Sequence, residues 1–253
     1  MTRYRYLETG AGNAAFNMGL DEAILESVAT GAQPPTLRLY QWQPAAVSIG
    51  YFQGVRDEVD LDACSRLGVD VVRRLTGGGA VFHAAELTYS IVVPETDPLV
   101  RGTVIDSYRT ICDGLIAGFG NLGIPAEFAP LNDILSGGKK VSGNAQTRKR
   151  GCLLQHGTVL LGVDVDTMFS LLRVPNEKLK GKLIEDVKAR VTSTSALLGR
   201  TVTYEEAVPA FSAGFATILG NLGTPSQPDA DELYRARVHA LERFASESWL
   251  FKR

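Results

Sequence analysis

The stretch DVVRRLTGGGAVFHAAELTYSIVVP, residues 70–94, decides the fold class. It holds three β-rich runs, Asp70–Arg74, Ala80–Phe82 and Leu87–Val93, and Pro94 ends the last. Runs joined this closely leave no room for a crossover helix, so they are not βαβ units. Working outward, Lys140–Gln146 and Cys152–Leu161 form a second β pair, with Thr147–Gly151 as a hairpin turn. Upstream, a strand near Arg3–Leu7 leads into a helix capped by Asn13, with Phe16, Leu20, Ala23, Ile24 and Val28 on one face. Pro34–Pro35 breaks the chain before the β-rich runs Thr36–Tyr40 and Ala46–Phe52, which turn at Gln43–Pro44. A short helix, Leu61–Leu67, stops at Gly68. The strongest periodicity predicts a helix from Thr103 to about Leu122, with Ile105, Tyr108, Ile111, Cys112, Leu115, Ile116 and Phe119 as its core stripe and Gly123 at C′. Later come helical patterns at Asp164–Leu172, Asn176–Leu183, after Thr192, at Tyr204–Leu219 and at Asp229–Ser246. Strands early and helices late give an α+β domain with a mixed, largely antiparallel sheet.

Bulk properties narrow the class. The chain has 253 residues, 45% of them hydrophobic and 21% charged, which suits one large globular domain and excludes disorder and fibrous repeats. A net charge of −2 argues against a dedicated nucleic-acid binder. No apolar run is long enough to span a membrane, and MTRYRYLETG lacks the apolar core of a signal peptide. Three scattered cysteines, Cys64, Cys112 and Cys152, suit a reducing cytoplasm better than a disulfide framework.

Common phosphate motifs fail on spacing. Counting back from Gly138–Lys139 for a Walker A loop lands on Asp133, and Lys140 stands where a hydroxyl residue belongs. A dinucleotide fingerprint begun at Gly77 and Gly79 meets Phe82 in place of its last glycine. The histidines His83, His156 and His239 have no zinc-protease spacing, and no GxSxG elbow is present.

Two segments carry chemistry. In Arg73-Arg74-Leu75-Thr76-Gly77-Gly78-Gly79-Ala80-Val81-Phe82-His83, three glycines let the backbone approach a ligand closely with its N–H groups inward. Two arginines and a histidine flank them. The second segment runs through Asn132-Asp133-Ile134, then Lys139-Lys140-Val141-Ser142-Gly143-Asn144-Ala145-Gln146, then Gln155-His156-Gly157-Thr158. Between Asp133 and Asp164 the chain has no acidic residue but has Lys139, Lys140, Arg148, Lys149 and Arg150. That local positive field suits an anionic substrate or an acidic protein partner. Asp133 is a hard oxygen ligand for Mg²⁺, and Lys140 is a point charge for phosphate or carboxylate.

The ordered strings RRLTGGGAVFH, NDI, KKVSGNA, QHGT and ARVTS (Ala189–Ser193) resemble the lipoate–protein ligase A family, and Ser246-Glu247-Ser248-Trp249 is similar to that family's domain end. The resemblance implies the biotin/lipoate-ligase fold, related to class II aminoacyl-tRNA synthetases, over residues 1–253. It implies activation of lipoate with ATP and Mg²⁺ to lipoyl-AMP, then transfer to a lysine of a lipoyl carrier domain. Such carriers are glycine-cleavage H-like or 2-oxoacid-dehydrogenase E2-like.

By motif, Lys140 is the family's catalytic lysine, an electrostatic stabiliser and not a nucleophile. Arg74, Thr76, Gly77, Gly78 and Gly79 line the phosphate and carbonyl, and Val81, Phe82 and His83 flank the nucleotide. Asn132 and Asp133 serve adenosine or Mg²⁺, Ala145 leaves room for the adenylate, and His156 sits near the lipoyl site. Phe16, Met18, Tyr40, Ile49 and Tyr51 are candidates for an apolar acyl tunnel.

The segment Glu86-Leu87-Thr88-Tyr89-Ser90 looks more like the related octanoyltransferases. Those enzymes use a cysteine nucleophile, and here neither Phe128–Gly138 nor anything after Cys152 has one. On that ground the expectation is an ATP-dependent ligase, with an ATP-independent octanoyl or lipoyl transferase, or a transfer-only subunit, as the alternative. The chain ends at Arg253 without the further domain of familiar bacterial ligases, so the expectation is that a separate small accessory subunit supplies that lobe, that this domain manages alone, or that it performs only the transfer step.

Overall fold

Side-chain alternation along the central strands sets the architecture of the computed structural model, which describes residues 4–173, 180–220 and 222–253. The strands are β1 (Arg5–Gly12), β2 (Thr36–Trp42), β3 (Ala46–Ile49), β4 (Asp70–Arg73), β5 (Val81–His83), β6 (Glu86–Pro94), β7 (Glu127–Ala129), β8 (Asp133–Ser136), β9 (Lys139–Lys149) and β10 (Cys152–Leu160). Seven form one sheet in the order β1-β2-β6-β10-β9-β8-β7, and three form a second in the order β4-β3-β5. Only β1–β2 and β3–β4 pair in parallel among these strands, so the sheets are mixed and largely antiparallel.

Helices α1 (Ala14–Ala29), α4 (Val104–Asn121) and α8 (Tyr204–Leu219) pack on the large sheet, and α9 (Ala230–His239) packs on α1. The remaining helices are α2 (Val55–Glu58), α3 (Leu61–Leu67), α5 (Val165–Leu171), α6 (Lys180–Arg190), α7 (Thr194–Leu198) and α10 (Glu247–Leu250). On one sheet face, Leu87, Tyr89, Ile91 and Val93 of β6 join Leu37 and Leu39 of β2 against Ile111, Leu115 and Phe119 of α4 and Phe211 and Phe215 of α8. On the other, Tyr40, Trp42, Val92 and Leu154 meet Leu20, Ala23, Ile24 and Val28 of α1, with Ala236 of α9 behind. Helix α1 is enclosed on nearly every side, with twelve of its 16 residues buried. A third cluster holds Val47 and Ile49 of β3 against Val55, Val59, Ala63 and Cys64.

Local signals place most boundaries. Asn13 Oδ1 accepts the Phe16 N–H at 2.9 Å to start α1. Thr103 and Asp106 form a reciprocal capping box on α4. Gly68 and Gly123 follow their helices at φ 65° and 77°, the left-handed cap that glycine favours.

Differences have local causes. The turn expected over Thr147–Gly151 contracts to Arg150 and Gly151, at φ 54° and 73°, because two left-handed residues match the twist of the paired strands. Residues 147–149 therefore extend β9. Ile105, placed in the core stripe of α4, is 40% exposed, since the first turn of the helix projects past the sheet. The short strands β7, at the sheet edge, and β8, beside it, were not foreseen. The run expected at Asp229–Ser246 divides into α9 and a π-helical turn, Ala240–Phe244. Residues 176–179 of the helix expected at Asn176–Leu183 lie outside the described residues, and α6 begins at Lys180. Among the described residues no helix is long and apolar enough to cross a membrane.

Candidate active site

Alternation also builds the site. Arg38 and Tyr40 of β2, Glu86, Thr88 and Ser90 of β6, and His156 and Thr158 of β10 share the face opposite the α4/α8 core. Register aligns Ser90 with Arg38 and His156, and Thr88 with Tyr40 and Thr158. All seven are buried. A buried polar layer is stable only when its groups are paired, and α1 supplies the partner. Its Asp21 carboxylate accepts from Arg38 Nη1 at 2.8 Å, Ser90 Oγ at 2.8 Å and Tyr40 Oη at 3.2 Å. It lies 3.3 Å from His156 Nδ1. Burial pushes the Asp21 carboxyl up, but His156, Arg38 and Ser90 outweigh it and hold the group below the usual carboxylate value. Burial pushes His156 down and leaves a neutral imidazole. That tautomer donates Nδ1–H to Asp21, so Nε2 accepts the Thr76 hydroxyl at 2.7 Å.

The glycine loop is organised by Arg74. Its Nη2 donates to the carbonyls of Gly77 and Gly79 at 2.7 and 2.8 Å, Nε to Thr76 Oγ1 at 3.1 Å, and Nη1 to the Ser48 carbonyl and hydroxyl at 3.0 and 3.1 Å. Among the described residues it has no carboxylate partner, and burial lowers it to about 10. An unneutralised buried cation at a ligand loop favours a negative or oxyanionic group beside it. Arg73 points the other way, as the next residue on a strand must. It donates to the carbonyls of Gly50, Tyr51, Gln53, Trp249 and Leu250 and fastens the C-terminal segment. Gly50 meets the loop so closely that a Cβ there would lie 2.0 Å from the Gly78 carbonyl oxygen.

Lys140 comes from β9, and its Nζ lies 2.7 Å from Asp133 Oδ1 on β8. Gly143 leaves space for that side chain: a Cβ there would lie 2.8 Å from Lys140 Cε and Nζ.

These parts surround a cavity of about 500 Å³ between the two sheets. Of the predicted site residues, Arg74, Gly78, Gly79, Val81, Phe82, His83, Asn132, Lys140, Ala145 and His156 line it. Thr76, Gly77 and Asp133 do not; Thr76 stands behind His156 and Asp133 behind Lys140. Of the tunnel candidates, Met18 and Tyr40 line the cavity, while Phe16, Ile49 and Tyr51 do not. Met168 of α5 and Val187 of α6 complete an apolar wall. Asp133, the residue expected to hold Mg²⁺, is a lone carboxylate whose Oδ1 faces the Lys140 ammonium, and among the described residues no three His, Cys, Asp or Glu side chains converge.

Sequence reading missed Ser48, Glu86, Trp42 and Asp21. The available signal was Glu86, Thr88 and Ser90 on one side of an otherwise apolar strand, which alternation alone assigns to solvent. No cysteine lines the cavity: Cys64, Cys112 and Cys152 are buried elsewhere and unpaired. Burial pushes Cys64 up to about 11 and raises Cys112 and Cys152 as well, so none is a ready thiolate.

Comparison with known proteins separates fold from activity. The model of the lipoyl protein ligase A/B catalytic domain matches residues 13–216. The octanoyltransferase LipM of Geobacillus kaustophilus is 41% identical over 99% of this chain and 98% of its own, and that of Bacillus subtilis 36% over 99% and 98%. Among solved structures, an archaeal bi-partite lipoate protein ligase from Thermoplasma acidophilum superposes with a TM-score of 0.89 at 30% identity, covering 99% of this chain and 97% of that one. A lipoate-protein ligase A bound with ATP gives 0.82, also at 30%, over 99% and 98%. The fold expectation stands. The expectation of an ATP-dependent, adenylate-forming ligase does not, because the full-length sequence relatives are octanoyltransferases. That expectation rested on a missing cysteine, and the relatives' overall similarity outweighs it. By sequence and by fold, the chain belongs to the family of the lipoyl protein ligase A/B catalytic domain.

Proposed function

We propose that this chain is an acyltransferase that moves an octanoyl group from a carrier-bound thioester onto a lysine of a lipoyl domain. The observation that carries the reading is a cavity whose lining combines apolar side chains with two basic ones, Arg74 and Lys140. Met18, Met168 and Val187 offer the acyl chain an apolar wall, and the Lys140 ammonium and the buried positive charge of Arg74 would favour an oxyanion formed at the carbonyl. The transferase relatives and the structural neighbour described with its E2 lipoyl domain support the donor and acceptor classes. Buried, unpaired thiols support a reducing, cytoplasmic setting.

In this reading Lys140 and the glycine-loop N–H groups stabilise the tetrahedral oxyanion, while Asp133 holds the Lys140 side chain in place. Asn132 steadies the floor by exchanging hydrogen bonds with Asn144. The test mixes the protein with a lipoyl domain and octanoyl thioester without nucleotide, and separately with octanoate or lipoate plus ATP. Octanoylation of the domain in the first mixture is expected. Modification only in the second would overturn the reading.

A further inference from the structure

The cavity contains a hydroxyl, an imidazole and a carboxylate in series, drawn from three strands of two sheets. Ser48 Oγ on β3 lies 2.8 Å from His83 Nε2 on β5, and His83 Nδ1 lies 2.7 Å from Glu86 Oε1 on β6. All three residues line the cavity. The ring cannot turn freely: Trp42 stacks on it at 4.0 Å and 16°, and Trp42 Nε1–H is tied to Thr88 Oγ1 at 2.8 Å. Thr88 in turn donates to Glu86 Oε1. With Nδ1–H committed to Glu86, Nε2 is the acceptor and the Ser48 hydroxyl its donor. Arg74 Nη1 donates to Ser48 Oγ from the other side, which favours the alkoxide. Glu86 Oε2 is buried with no hydrogen-bond partner among the described residues, as are Glu22 Oε2, Ser142 Oγ, Gln155 Oε1 and Tyr204 Oη. The trio Thr76–His156–Asp21 differs, since Thr76 does not line the cavity and Arg38, Tyr40 and Ser90 also hold Asp21.

On the acyltransferase reading, and with no thiol in the cavity, the geometry points to Ser48 as the nucleophile that carries the acyl group between donor and acceptor. His83 is its base, and Glu86 the positioning residue that orients His83. The Ser48 oxygen attacks the thioester carbonyl while His83 Nε2 takes its proton. The C–S bond breaks, the thiolate leaves, and His83 returns that proton to it. The neutral amine of the acceptor lysine then attacks the seryl ester. His83 takes a proton from the nitrogen and delivers it to Ser48 Oγ as the C–O bond breaks. An amide and a free serine remain, with no oxidant, reductant or nucleotide consumed.

The decisive experiment treats the protein with octanoyl thioester alone, then denatures, weighs and maps it. A mass gain of one octanoyl group on the peptide carrying Ser48, stable to neutral hydroxylamine and discharged by adding lipoyl domain, is expected. Ser48→Ala should lose the adduct and at least about 10²-fold in transfer, with folding checked by thermal melting. Ser48→Cys should keep an adduct that hydroxylamine now removes. Glu86→Gln should lower kcat and leave KM for the thioester unchanged. A Ser48→Ala protein that transfers at the wild-type rate, or an adduct mapped to Thr76 or Lys140, overturns the assignment and leaves the acyltransferase reading standing. A Ser48 adduct with no transfer to a lipoyl domain upholds the nucleophile and overturns the acceptor. Neither adduct nor transfer overturns both.

Discussion

Arg74 and Arg73 are neighbours with opposite duties, one turned into the cavity and the other clamping the C-terminal segment. Lys140 stands apart from both because it is only partly covered and its carboxylate partner among the described residues, Asp133, is also about a third exposed. An exposed pair of that kind adds little stability. Lys140→Ala should therefore cut acyl transfer by about 10²–10³-fold while the melting temperature stays close to wild type, read by carrier octanoylation and calorimetry in parallel. His156 behaves differently. Its folded-state value is depressed by burial, so the unfolded chain binds the extra proton, and stability is held above the ordinary histidine value and lost as pH falls below about 6.5. Asp21, held low, adds a second loss at more acidic pH in the same direction. Melting temperature measured between neutral and mildly acid pH should fall, and His156→Gln should flatten the upper part of that fall.

At the scale of elements, two glycines report different things about their strands. Gly50, just after β3, faces a backbone carbonyl 2.0 Å from where a methyl would sit, and backbone cannot step aside cheaply. Gly50→Ala should cost about 1–3 kcal/mol in denaturant unfolding. Gly143 in β9 faces only the tip of the Lys140 side chain, which can swing away. Gly143→Ala should leave stability nearly intact and lower transfer by displacing the ammonium from Asp133. Much of this layout was legible beforehand. Caps at Asn13 and Thr103, stops at Gly68 and Gly123, and strand runs on either side of the glycine loop are local signals, and local signals survive folding. The cationic half of the site was legible too, because Arg74 and Lys140 sit in unusual strings. Ser48, Glu86 and Asp21 were not, since their meaning depends on register between strands and on a helix that covers a polar face. The short strands β7 and β8 escaped because each is only three or four residues long and takes its identity from pairing with a neighbour.

For the whole molecule, the cavity is walled unequally. Its inner side rests on β6, β10 and the enclosed helix α1, and its outer side on the half-buried α5 and on α6, which is largely exposed. Amide hydrogen exchange should show this contrast directly. Protons of α1 should exchange only through global unfolding, at rates set by the stability of the entire chain. Those of α6 should exchange through local opening, orders of magnitude faster, and should slow when an octanoyl group occupies the cavity. Equal protection of the two helices, or no change at α6 on acyl loading, would count against this division. The enclosure of α1 thus carries a kinetic expectation: the Asp21-centred floor should open only with the whole chain, and should keep its geometry while local opening is confined to the outer wall.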